Sequence, residues 1–79
     1  MDDSEPSETY DAGYTGCGDL VLLLRIKLRS APGKVVRVIA RDPGAPEDIP
    51  AWCRMTRNDL LRHEPDSHSF WIRSRPDWT

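Results

Sequence analysis

Apolar and polar positions follow two different periods along the chain, and these periods predict where helices and strands lie. From Asp19 to Ser30 apolar side chains recur at helical spacing, which predicts the first helix. Lys34 to Ala40, with the sequence KVVRVIA, is β-branched and predicts a central strand. In the segment 69–75, Phe70 and Ile72 alternate with Trp71 and Arg73, the pattern of a half-buried strand.

Weaker signals complete the series of elements. We expect a short strand at residues 9–12, and a loop at 42–46 because its two prolines oppose regular structure. A second helix is expected from Ile49 to about Asn58, with Asp48 as its N-cap and Pro50 tolerated in the first turn. A further strand at 60–64 is joined to the last one through residues 65–67. The order predicts an α+β fold, a βαβαββ two-layer sandwich with two helices on one face of a four-stranded mixed sheet.

The first helix carries two apolar faces, separated by Arg25 and Arg29. The face expected to cover the sheet comprises Leu20, Val21, Leu24 and Leu28. The second face comprises Leu22, Leu23 and Ile26. We expect it to pack against the neighbouring helix within the monomer, because a helix that is apolar all round is usually buried; contact with a partner protein is the alternative.

Length and charge narrow the classes of function. With 79 residues the chain forms one domain, which we place at residues 9–79 after a disordered acidic tail, residues 1–8. That tail holds four of the 13 acids, and the remainder has a net charge of +2, too small for a dedicated nucleic-acid binder. Direct nucleic-acid binding is therefore not expected. The sequence shows neither a charged-then-apolar leader nor an apolar run of ~20 residues, so we expect no membrane contact and a cytoplasmic location.

Cys17 is the main candidate for chemistry. It lies between Gly16 and Gly18 where a loop passes into the first predicted helix. Unpaired backbone N–H groups and the helix dipole at such a position lower the pKa of a thiol and favour the thiolate. The adjacent carboxylate of Asp19 acts in the opposite direction. Position alone leaves a reactive and an inert thiol equally open.

No catalytic role is expected for the second cysteine or for the two histidines. Cys53 falls on the apolar side of the second helix, with Ile49, Trp52, Thr56 and Leu60, so we expect a core thiol rather than a partner for Cys17. Arg54, Arg57 and Asn58 should face water. His63 and His68 are expected to be solvated. The cysteine and histidine spacings do not form a zinc motif, and no metal site is predicted.

From about Tyr10 to Arg75 the chain resembles the TusA/SirA-like family of sulfur-carrier proteins. Tyr10-Asp11-Ala12, a glycine-containing turn and Cys17 are similar to the family's first strand and active cysteine. Asp42-Pro43 followed by Asp48-Ile49-Pro50-Ala51-Trp52-Cys53 is similar to its Asp-Pro…Asp-Ile-Pro-x-aromatic-Cys signature, and Phe70-Trp71-Ile72-Arg73 to its last strand. The family's Cys-Pro-x-Pro is here Cys17-Gly18-Asp19-Leu20, so both prolines are missing.

The resemblance implies a function as well as the βαβαββ sandwich. Members of the family accept a sulfane sulfur on the first cysteine as a persulfide and relay it to a partner, which makes Cys17 the catalytic residue here. The implied partners are a sulfur-donor protein of desulfurase or rhodanese type and a sulfur-acceptor protein, and no cofactor is needed. Family destinations include tRNA thiolation, molybdenum-cofactor maturation and dissimilatory sulfur oxidation.

Helical geometry places four residues near the sulfur as candidate partner contacts: Gly18, Asp19, Leu20 and Leu23. The altered motif after Cys17 keeps an alternative open, a non-catalytic interaction or regulatory module that binds a partner or dimerises through Leu22, Leu23 and Ile26.

Overall fold

The chain folds into two layers, a sheet covered on one face by two helices. A computed structural model describes residues 5–78 and, of Cys17, the backbone alone. The elements are β1 (Glu8–Gly13), α1 (Cys17–Arg29), β2 (Val35–Ala40), α2 (Ala45–Thr56), β3 (Asp59–Glu64), a 3-10 helix (Pro65–Ser67) and β4 (Ser69–Arg73). The predicted α+β sandwich and its βαβαββ order are confirmed.

The sheet is mixed, with the strand order β1-β2-β4-β3. Strands β1 and β2 are parallel, whereas β4 is antiparallel to both β2 and β3. Because β1 and β2 are parallel neighbours, their carboxyl ends meet at one edge, where the Arg41 N–H donates to the Gly13 carbonyl oxygen at 2.7 Å. Both helices follow these strand ends directly, so α1 and α2 begin at the same edge of the sheet.

The core lies between the helices and the inner face of the sheet. Three α1 leucines, Leu20, Leu24 and Leu28, are fully buried, and Val21 packs against them half-buried. The predicted sheet-facing side of α1 is therefore confirmed. Buried side chains from β2, α2 and β4 complete the core: Val36, Val38, Ala40, Ile49, Trp52, Cys53, Phe70 and Ile72.

The outer face of the sheet is covered by long side chains instead of a second layer. Trp71 points away from the helices, yet only 8% of it is exposed. The guanidinium carbons of Arg37 and Arg62 lie 5.1 Å and 4.8 Å from its ring centroid, one from each neighbouring strand. Arg37 donates to Ser69 Oγ at 2.9 Å, and Arg62 forms a 2.7 Å ion pair with Glu64. These cation–π contacts bury a strand position that alternation alone predicts to face water.

The second apolar face of α1 is not packed inside the monomer, so the expected helix–helix contact is wrong. Leu22 is 57% exposed and Ile26 is 58% exposed, while Leu23 is half-buried. The neighbouring helix α2 lies beside α1 over the same sheet, and it does not reach round to this outer side. The face is open to solvent and available to another molecule.

Helix α2 begins at Ala45, four residues before the predicted start, and its N-cap is Gly44 instead of Asp48. The Gly44 N–H donates to Asp42 Oδ2 at 2.9 Å, and the Ala45 N–H donates to the Asp42 carbonyl oxygen at 3.0 Å. Asp42 thus turns the chain into the helix. Pro46 occupies the second helical position, where a missing N–H breaks no bond, and Pro50 is accommodated inside the helix. The expectation of a loop at 42–46 is therefore wrong for its last two residues, which belong to the helix.

Asn58 is buried, which corrects the expectation that it faces water. Its Nδ2 donates to Thr56 Oγ1 at 2.8 Å, and its Oδ1 accepts the Arg75 N–H at 2.8 Å. The left-handed Arg57, with φ of 64°, ends the helix just before it and turns the asparagine inward. Asn58 therefore joins the end of α2 to the segment after β4, a contact that a helical wheel does not contain.

The amino-terminal segment is described from residue 5 onward. Strand β1 starts at Glu8, and the Ser7 N–H donates to the Val35 carbonyl oxygen at 2.7 Å. Residues 1–4 of the predicted disordered tail lie outside the described residues, and the division into tail and domain stays a prediction. Within residues 5–78, neither helix has the length and apolarity needed to cross a bilayer.

Candidate functional site

The loop between β1 and α1 is held by its own backbone. Gly13 has a left-handed φ of 57°, which glycine adopts without strain, and its N–H donates to Asp11 Oδ1 at 2.8 Å. Thr15 then bonds back to the Ala12 carbonyl oxygen twice, through its N–H at 3.1 Å and its hydroxyl at 2.7 Å. This turn delivers the chain to the start of α1 in a defined direction.

Helix α1 begins at Cys17, two residues earlier than the apolar pattern predicts. Gly16 is the N-cap, with extended φ and ψ of −70° and 160°, and it supplies no side-chain hydrogen bond. The first intrahelical bond runs from the Leu20 N–H to the Gly16 carbonyl oxygen at 2.7 Å. Gly16 therefore supplies no capping side chain to the N–H groups of the first helical turn. Such N–H groups stabilise an anion placed at the start of the helix.

The backbone on either side of Cys17 is open. Gly16 and Gly18 are both exposed, and a Cβ atom built at either glycine would meet nothing within 4 Å. The aromatic ring of Tyr14, three residues before the cysteine, is 80% exposed on the same loop. Sequence reasoning passed over Tyr14, although its position directly after Gly13 in a glycine-containing turn was a signal of exposure.

The four residues predicted to contact a partner differ in their exposure to solvent. Gly18 and Asp19 are exposed in the first turn of α1, and Leu23 is half-buried. Leu20 is fully buried in the core, which counts against a contact between its side chain and a partner. The side chain of Cys17 lies outside the described part of the structure, so its role and all four partner contacts stay predictions.

Glycine at position 18, where the family that the chain resembles has proline, gives a stability prediction. Because Gly18 lies in a helix with free space around its Cβ position, Gly18→Ala should raise the free energy of unfolding by about 0.5–1 kcal/mol. Gly33 also has free space but a φ of 73°, so Gly33→Ala should lower it by about 1 kcal/mol. Urea unfolding of both variants measures the two signs. A loss of stability in Gly18→Ala would contradict a helix that begins at Cys17.

Cys53 is a core thiol, as predicted. Its side chain is 2% exposed among the apolar residues of α2 and the sheet. Burial, reinforced by the negative charge of Asp59, raises the pKa of this thiol to about 12, and Arg54 opposes the shift only in part. A thiol that keeps its proton at neutral pH is neither a nucleophile nor a resolving partner for Cys17.

The raised pKa of Cys53 predicts how stability depends on alkaline pH. The unfolded chain releases the thiol proton near the ordinary value of 9.0, while the folded chain holds it until about 12. The contribution of the protonated Cys53 thiol to the free energy of unfolding is thus complete below pH 9, and it is lost as the pH rises from 9 towards 12. Between about pH 8 and about pH 10, the unfolding free energy should fall by about 1 kcal/mol more in the wild type than in Cys53→Ala. Urea unfolding at both pH values tests this, and equal losses in the two proteins would contradict it.

The two histidines differ. His68 is exposed in the turn before β4, in agreement with the prediction. His63 is half-buried, and its ring stacks on Phe70 with the centroids 4.2 Å apart, so it is not the solvated side chain that was expected. Among the described residues, no group of three or more histidine, cysteine, aspartate or glutamate side chains is arranged to hold a metal ion.

Comparisons with known proteins extend over nearly the whole chain. The family model described as Sulfurtransferase TusA matches residues 8–74, from the first residue of β1 to just beyond β4. A protein named Sulfur carrier protein TusA from Pseudomonas putida strain GB-1 is 35% identical over 80 residues, covering 98% of this chain and 100% of the relative. Its namesake from Pseudomonas aeruginosa strain LESB58 is 36% identical over 70 residues, covering 85% of this chain and 89% of the relative. With this match in sequence and the sandwich seen in the structure, the chain belongs to the TusA family of sulfurtransferases.

Proposed function

We propose that this protein is a sulfur carrier, which accepts a sulfane sulfur on Cys17 as a persulfide and passes it to an acceptor protein. The observation that carries the proposal is the start of α1 at Cys17. The uncapped first turn offers backbone N–H groups to a thiolate, and the glycines on both sides leave access for a second protein. Family membership and the relatives named as sulfur carriers support the same chemistry.

The proposed reaction exchanges one persulfide for another. The Cys17 thiolate attacks the outer, sulfane sulfur of a persulfide on the donor protein. The sulfur–sulfur bond of the donor breaks, and the donor cysteine leaves with the electron pair as a thiolate. The sulfane sulfur is then bonded to Cys17, and the acceptor protein takes it by the same exchange in a second encounter. No net oxidation or reduction occurs, so the step needs neither a metal nor an organic cofactor.

The environment of Cys17 suits two successive encounters. Gly18, Asp19 and Tyr14 are exposed beside it, and the outer flank of α1 exposes Leu22 and Ile26. Exposed aromatic and aliphatic side chains close to a reactive group are typical anchors of protein interfaces. A donor of desulfurase or rhodanese type and a cytoplasmic location belong to this proposal as well.

The alternative proposal is a non-catalytic module that keeps the sandwich and binds a partner or a second copy through the outer flank of α1. The exposure of Leu22 and Ile26 favours it, and so does the loss of both motif prolines after Cys17. The two functions differ in what happens at the thiol, because only a carrier needs a reactive sulfur at position 17.

Incubation with a cysteine desulfurase and free cysteine separates the two functions. A carrier gains one sulfur atom, detected by mass spectrometry of the intact protein and located on Cys17 after proteolysis. Brief alkylation before incubation should block the gain, because an accessible Cys17 thiolate reacts while buried Cys53 does not. A folded wild-type protein that gains no sulfur from either a desulfurase or a rhodanese donor would count for the module.

A further inference from the structure

A pocket lies away from Cys17, between the carboxyl-terminal halves of the two helices and the segment after β4. It measures about 440 Å³ and is lined by Arg25, Arg29, Trp52, Met55, Thr56, Arg75 and Trp78. Arg25 follows Cys17 by eight residues of helix, which corresponds to about 12 Å. The pocket is therefore separate from the proposed sulfur site.

Three arginines line this pocket, and none of the lining residues that the structure describes is an aspartate or a glutamate. Within residues 5–78, neither Arg25 nor Arg29 forms an ion pair, and Asp77, the acid nearest to Trp78 in sequence, does not line the pocket. Arg25 and Arg29 are four residues apart on one helix, a spacing at which like charges repel. The repulsion between clustered positive charges falls when an anion binds between them.

The side of the pocket formed by the segment after β4 is rigidly held. The Arg75 N–H donates to buried Asn58 Oδ1 at 2.8 Å, and its Nη1 donates to the Thr56 carbonyl oxygen at 3.2 Å. The Trp78 indole N–H donates at 2.9 Å to Ser74 Oγ, which is fully buried and donates in turn to the Leu28 carbonyl oxygen at 2.6 Å. Arg75 and Trp78 are thus placed before a ligand arrives, which lowers the entropy lost on binding.

Two kinds of group are brought together here, and together they indicate the ligand. Guanidinium forks match the oxygens of a phosphate group, and the half-buried Trp78 ring and the exposed Met55 side chain provide apolar surface for a heterocyclic base. Trp52 also lines the pocket, but only 8% of it is exposed. An inorganic anion would use only the arginines, and an apolar molecule only Met55 and Trp78. The volume falls in the range of small-molecule sites.

We propose that the pocket formed by Arg25, Arg29, Arg75, Trp52 and Trp78 binds a free nucleoside phosphate. The inference goes beyond the sulfur-carrier function and does not depend on Cys17. A free nucleotide suits the chain better than a nucleic acid, because the protein as a whole has a net charge of −2 and so attracts a polyanion poorly.

Adenosine diphosphate is the probe, titrated into the full 79-residue protein and followed through its three indole N–H signals by nuclear magnetic resonance. The signals of Trp52 and Trp78 should shift and saturate with a Kd below about 1 mM. Trp71 lies on the opposite face of the sheet and should not respond. Pyrophosphate and adenosine should each bind more weakly than the diphosphate, because each makes only half of the contacts.

Charge-removing variants with a matched control complete the test. Arg29→Gln and Arg75→Gln should each raise the Kd about 10-fold, whereas Arg54→Gln, the same change on α2 outside the pocket, should alter it less than about twofold. Because Arg75 also holds the fold, Arg25→Gln gives a second reading from an exposed side chain. Cys17→Ser should bind the nucleotide normally even where it blocks sulfur transfer.

Four results would overturn the proposal. The first is the lack of a saturable shift up to several times the expected Kd, and the second is an equal loss of affinity in Arg54→Gln, which would mean diffuse charge screening. The third is tighter binding of adenosine than of the diphosphate. The fourth is tighter binding of a glutamate-rich peptide or a short single-stranded RNA, which would assign the pocket to a macromolecule.

Discussion

Replacing Cys17 by serine is expected to abolish sulfur loading completely while leaving the protein folded. A serine hydroxyl stays protonated at neutral pH and does not form a persulfide, so the added sulfur seen in the wild type should fall to the background. Cys17 lies between exposed Gly16 and Gly18, and the first buried core residue of α1 is Leu20. The thermal midpoint should consequently stay close to that of the wild type.

The matched control for this experiment is Cys53→Ala, which removes the other thiol. Because Cys53 is buried and holds its proton, this variant should still gain one sulfur, with a modest loss of stability from the missing side chain. The assay is intact-protein mass spectrometry after incubation with a cysteine desulfurase and cysteine. Retention of the added sulfur in Cys17→Ser, or its loss in Cys53→Ala alone, would contradict the assignment of the nucleophile.

Replacing Phe70 by alanine is expected to unfold most of the protein or leave it barely stable. Phe70 is fully buried at the second position of β4, where it pairs with Val38 on one side and with His63 on the other. Removal of such a ring costs about 3–5 kcal/mol from the transferred surface and the cavity left behind. Small domains hold ~5–15 kcal/mol in total, so this one change is comparable with the lower end of that range.

Thermal and urea unfolding followed by circular dichroism measure this effect. The comparison is Met55→Ala, which also truncates a large apolar side chain but one that is 81% exposed, and which should change stability by less than about 0.5 kcal/mol. A drop of only about 1 kcal/mol for Phe70→Ala would mean that the two layers are not packed around this ring as the structure describes.

The strands and the sheet-facing side of α1 could be predicted because their signals are local. KVVRVIA is a run of β-branched residues, and the buried leucines of α1 stand at helical spacing. For either pattern, only one orientation of the element buries its apolar face and leaves its polar face in water. The same reasoning placed Cys53 in the core, where the structure has it.

The errors arose where a residue's partner is distant in sequence. Asn58 is buried because Arg75, 17 residues away, needs its side-chain oxygen. Trp71 is buried by arginines from β2 and β3, which become its neighbours only when the sheet forms. The start of α2 was misplaced for a different reason, because Asp42 reaches forward to Gly44 and overrides the weak propensities of two prolines.

The chain's own residue pattern was sufficient for the βαβαββ order and the family, because period, turn chemistry and motif are written along consecutive positions. It is also the source of the choice of Cys17, which stays a prediction. Tertiary packing alone exposed the outer flank of α1 and brought Arg75 to the same pocket as Arg25 and Arg29, since Arg75 follows β4 and the other two lie on α1. Spacing along a chain encodes which face a residue occupies. Which faces meet, and which stay open, follows only from how the layers fit together.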